Sequence, residues 1–144
     1  MPYTYYYYAE AMLGLGKYEM AYYSARQSLA LSMEDRAPEN LGAAWRALGM
    51  ISEKTGDSVY VRQTGLGDPI EYSPQACFTK SAEIFAEAEM QAERARTLRE
   101  WAKYEFGRHN QEQGIMLWEE ARSLFAKVGA NMEVERMREL PALD

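Results

Sequence analysis

A chain of 144 residues with 47% apolar and 26% charged residues has room for one domain that buries a real core. Its net charge of −6 has the wrong sign for a nucleic-acid surface, and no apolar run reaches the roughly 18 residues of a membrane helix. The single cysteine, Cys77, excludes an internal disulfide, and the opening MPYTYYYYAEA lacks the basic segment and cleavage site of a secretory signal, so the chain is expected in the cytoplasm.

Apolar periodicity and helix punctuation predict helices near 3–14, 18–34, 39–55, 74–90, 92–108, 111–128 and 132–140. In the first, Tyr3, Tyr5, Tyr6, Tyr7 and Tyr8 surround the axis instead of lining one stripe. A helix aromatic all round is covered on more than one side. Gly16 offers the left-handed backbone that ends it, and AYYSARQSLAL supplies the second helix. WRALGMISEKTG, residues 45–56, supplies the third, with Trp45 and Leu48 beside Gly49 and a stop at Gly56.

Residues 57–73, DSVYVRQTGLGDPIEYS, interrupt the helical pattern. Val59 and Val61, then Ile70 and Tyr72, alternate with polar neighbours around GLGDP turn chemistry, which fits either a small β-hairpin or an irregular loop. The GLG is no phosphate loop: neither Lys-Ser/Thr nor a helix follows it.

Ser73-Pro74 marks the start of the fourth helix as an N-cap followed by proline. Cys77, between Ala76 and Phe78, reads as a small buried hydrophobe. The fifth helix carries Trp101-Ala102 and ends at His109. Asn110 and Gln113 have the spacing of a capping box for the sixth, which Gly129 ends. Asn131 caps the seventh, whose Val134, Met137 and Leu140 share one face, and Pro141 follows it.

The first, third and fifth helices resemble one another. Each sets a bulky residue before a small one (Tyr8-Ala9, Leu48-Gly49, Trp101-Ala102), and each ends seven residues after the small one, at Gly16, Gly56 and His109. The helices that follow carry Ser28, Ser81 and Ala121 at matching small positions. Small residues allow two antiparallel helices to touch, and their bulky neighbours fill the space beside the contact. The chain divides into hairpins at about 2–35, 42–90 (with the insertion 57–73) and 94–128, closed by a capping helix at 132–140.

These residues resemble the tetratricopeptide repeat, through Trp45, Leu48, Gly49 and Gly56, through Tyr8, Ala9, Gly16, Tyr18 and Ala21, and through Trp101, Ala102, Trp118 and Ala121. The spacing exceeds the roughly 34 residues of that repeat. It is similar to the C-terminal repeat regions of large bacterial signalling proteins, such as nucleotide cyclases or transcriptional regulators with an ATPase module. The resemblance implies an all-α, TPR-like stack of antiparallel hairpins whose first helices line a groove for a protein or peptide partner.

No catalytic constellation accompanies this pattern. His109 is the only histidine and stands at a turn, and one His with one Cys makes no zinc site. Glu112, Glu119 and Glu120 read as a solvated face; Met12, Met50 and Met116 fall at core spacing. The chain is expected to be neither an enzyme nor a holder of metal or cofactor, and to bind neither nucleic acid nor membrane. Groove positions are Tyr6 and Glu10, then Arg46, Met50 and Glu53, then Arg99, Lys103 and Phe106. Arg46, Arg99 and Lys103 are the candidate anchors for an acidic segment. The alternative is an assembly segment in which the tyrosine helix, with Tyr3 and Tyr7 outermost, joins two copies as a homodimer.

Overall fold

The computed structural model describes residues 9–62 and 67–141. Its helices are α1 (9–14), α2 (Tyr18–Asp35), α3 (Pro38–Thr55), α4 (Pro74–Glu87), α5 (Gln91–Gly107), α6 (Gln111–Lys127) and α7 (Asn131–Arg136). Among the described residues the only sheet is the antiparallel pair β1 (Val59–Val61) and β2 (Ile70–Tyr72). The fold is all-α. From α2 to α7 each helix packs on the next, and α3 also reaches α5. No helix among the described residues is long and apolar enough to cross a membrane.

Helix ends follow local chemistry. Pro38 and Pro74 occupy first turns, where a missing N–H costs nothing, and the Ser73 hydroxyl accepts a hydrogen bond from the Ala76 N–H at 3.1 Å. Gly16, Gly56 and Gly129 take left-handed backbone at φ 75°, 77° and 76°. His109 adopts the same conformation at φ 62°, so it fills the glycine position of its turn at a cost of about 1 kcal/mol.

The ends of α4, α5 and α7 and the capping of α6 and α7 differ from the sequence pattern. Glu89 is left-handed at φ 58°, so α4 ends at Glu87, and Met90 is the N-cap of α5, which begins at Gln91. Asn110 stands at the N-cap of α6 but makes no capping side-chain hydrogen bond; its amide donates instead to the buried Glu105 carboxylate at 3.1 Å. Ala130, not Asn131, is the N-cap of α7, and the helix stops at Arg136. A longer α7 would pair the Met137 carbonyl with the N–H of residue 141, but Pro141 has none. The Trp118 indole N–H donates to that carbonyl at 3.1 Å, and Leu140 is left half exposed while Met137 is buried.

The α3–α4 contact is built from two glycines and two phenylalanines. A Cβ on Gly42 would stand 2.5 Å from the Phe85 ring, and one on Gly49 would stand 2.9 Å from the Phe78 ring. Both pairs are spaced by seven residues in opposite directions, as antiparallel helices require. The α5–α6 contact reverses the roles, with Phe106 of α5 over Gly114 of α6. Ser81 on α4 donates to the Gly42 carbonyl at 2.7 Å and lies 2.9 Å from the Thr97 hydroxyl on α5. All three helices are thereby joined through buried hydroxyls.

Within 57–73 the two expected strands form and pair antiparallel, Val59 opposite Tyr72 and Val61 opposite Ile70. Val59, Val61 and Tyr72 are buried, Tyr72 meeting Trp45 edge-on at 4.8 Å with the Lys80 ammonium 5.4–5.5 Å from both rings. Ile70, expected to alternate inward, is exposed, as is Met116 on α6.

Candidate functional site

Helical periodicity places three sets of side chains on one side of the molecule. α1 contributes Glu10 and Leu13, three residues apart. α3 contributes Arg46, Met50 and Glu53 at intervals of four and three, and α5 contributes Glu93, Arg96, Arg99, Glu100, Lys103 and Phe106. They enclose two adjoining cavities. Glu10, Arg46, Met50, Glu93, Arg96, Arg99 and Glu100 line one of about 290 Å³. Leu13, Met50, Glu53, Lys54, Glu100, Lys103, Phe106, Gly107, His109 and Pro141 line the other, of about 510 Å³. Met50 and Glu100 belong to both walls, so the two form a continuous trough.

The sequence-nominated Glu10, Arg46, Met50, Glu53, Arg99, Lys103 and Phe106 therefore converge. Tyr3, Tyr6 and Tyr7 lie outside the described residues. Glu93, Arg96, Glu100 and Leu13 were not nominated, although Glu93 and Glu100 share the α5 spacing that singled out Arg99 and Lys103.

The cations in the trough are largely paired within the chain. Arg46, only 6% exposed, donates to the Glu93 carboxylate at 2.8 Å and to the Glu93 carbonyl at 3.4 Å, and lies 3.9 Å from Glu10. Its guanidinium also sits 5.7 Å above the Phe85 ring. Arg96 holds the other Glu93 oxygen at 2.5 Å. Arg99 turns away to Glu133 and stacks on Phe125 at 5.1 Å, and Lys103 pairs with Glu100 at 3.2 Å. Arg46, Arg99 and Lys103 thus do not form a free basic cluster.

The carboxylates are less completely matched. Burial raises Glu10 above the ordinary carboxylate range; Arg46 offsets part of this, while Glu93 and Glu100 add to it. Burial raises Glu53 likewise; Lys54 and Lys103 offset part of this, while Glu100 adds to it. Glu53 makes no hydrogen bond and no ion pair among the described residues. Outside the trough the hydrogen bond from Arg99 lowers Glu133, and burial pushes the Cys77 thiol up to about 12, which leaves no thiolate near neutrality.

Comparison with known proteins gives no match to a family model, to a curated protein or to a solved structure.

Proposed function

We propose that this chain is a protein-interaction module of the tetratricopeptide type, a regulatory part of a larger signalling protein, that holds a partner segment in the trough between α1, α3 and α5. One observation carries the reading: alternate helices deliver their polar faces and three apolar side chains, Leu13, Met50 and Phe106, to one continuous depression. A rigid helical wall with an apolar floor and charged rims is the arrangement that docks a peptide. The test is selection of random twelve-residue peptides on the immobilised chain, followed by rebinding to Met50→Arg. Binders lost with Met50→Arg support the reading. An absence of binders, or binders indifferent to this change, rejects it.

A second reading, self-association through the N-terminal hairpin, is favoured by Leu15, Met20 and Tyr23, which are 67%, 46% and 64% exposed. Light scattering at increasing protein concentration tests it: a dimer weakened by Tyr23→Lys supports it, and a monomer throughout rejects it.

A further inference from the structure

The charge state of the trough selects a chemistry for its occupant. An acidic segment would have to compete for guanidinium and ammonium groups that Glu93, Glu133 and Glu100 already hold. Lys54 makes no ion pair among the described residues but is exposed, so water solvates it and little is gained by pairing it. Glu53 is in the opposite position: half-buried and without an ion pair, it stands in the same cavity wall as Leu13, Met50 and Phe106. Glu10, at the other end, has among the described residues only the long contact to an Arg46 committed to Glu93. An arriving cation would meet two carboxylates whose desolvation is incompletely compensated, beside an apolar floor.

Resting on the reading of the trough as a peptide groove, we infer that its partner is a basic, apolar segment: a lysine or arginine directed at Glu53, next to an aliphatic or aromatic side chain on Leu13, Met50 and Phe106. The carboxylate anchors and orients the segment, and the floor supplies the apolar burial. This occupant has the opposite charge from the one that the arginines and lysine suggest when the sequence is read alone.

Two fluorescein-labelled twelve-residue probes, one alternating Leu with Lys and one alternating Leu with Glu, decide the question by anisotropy titration against the full chain. The Leu-Lys probe is expected to bind at least about tenfold more tightly. Glu53→Gln is expected to weaken it by about tenfold, whereas Glu119→Gln, the same charge change on the exposed face of α6, leaves it nearly unchanged. Equal or tighter binding of the Leu-Glu probe overturns the inference, as does a Glu53→Gln loss no larger than that of Glu119→Gln. If Met50→Arg alters the affinity of neither probe, the trough itself is not the docking surface, and the reading beneath the inference fails with it.

Discussion

The Phe78 ring occupies the space that a side chain on Gly49 would need, with its nearest carbon 2.9 Å from the position of that Cβ. Phe78 is fully buried, so the ring has nowhere to move cheaply. Gly49→Ala gains up to about 1 kcal/mol of helix propensity and loses about 1–3 kcal/mol to overpacking, for a net loss. Gly42→Ala is expected to lose more, because its Cβ would lie 2.5 Å from Phe85. Gly14→Ala meets nothing within 4 Å and should be neutral or stabilising. Urea unfolding of the three variants checks this order, and equal stabilities would reject the α3–α4 register.

The buried hydroxyl relay gives a second ranking. Ser81 gives its proton to the Gly42 carbonyl, so Thr97 must donate to Ser81. Ser81→Ala leaves the Thr97 hydroxyl unmet in a dry site and is expected to cost about 1–3 kcal/mol. Thr97→Val removes the far end of the chain, preserves volume and leaves Ser81 bonded to Gly42, so it should cost about 1 kcal/mol. Thermal melts that place Thr97→Val below Ser81→Ala would contradict this direction of donation.

Arg46 ties α3 to α5 and, more loosely, to α1. Arg46→Met leaves Glu93 to Arg96 alone and strands Glu10, and both carboxylates retain access to water, so the expected loss is about 1–3 kcal/mol, below that of a fully buried pair. Glu93→Met leaves the buried guanidinium with no carboxylate nearer than Glu10, beside the backbone carbonyl of residue 93 and the Phe85 ring, and should cost at least as much. The double variant should recover part of the sum, since two apolar side chains pack where two charges stood. A strictly additive pair of losses in urea unfolding would show that the ion pair carries no coupling.

Much of the architecture was legible because it depends on short-range chemistry. Gly56, Ser73-Pro74 and the small residue Gly49 act through their own turn or the facing helix, and periodicity brought Arg46, Met50, Glu53 and Lys103 to one side without reference to distant residues. The pairing of charges was not legible. Arg46 meets Glu93 across 47 positions, and Arg99 chooses Glu133 on α7 over the trough. Residue spacing along one helix shows which face a charge occupies, not which neighbour neutralises it. Asn110 illustrates the same limit at close range: a capping motif lost to a buried carboxylate, Glu105, one turn earlier.

The trough carboxylates give stability a distinctive pH dependence. Glu10 and Glu53 titrate above the ordinary value of 4.5 when folded, so between that value and neutrality the folded chain binds more protons than the unfolded one. Their contribution makes stability fall as pH rises through this window. Glu53→Gln removes the penalty of burying an ionised group at neutral pH and removes nothing once the carboxyl is protonated. Its melting temperature is therefore expected to exceed that of the parent chain at pH 7, with the difference shrinking toward zero as pH falls to 4.5 and below. Glu133 has the reverse sign: Arg99 lowers it, so its stabilisation is complete above 4.5 and is lost as pH falls through the folded value. Glu133→Gln should therefore be less stable at pH 7 and converge with the parent chain in acid. Melting curves from pH 3 to pH 7.5 separate the two, and a Glu53→Gln chain less stable than its parent at pH 7 would show that the Glu53 carboxylate is compensated after all.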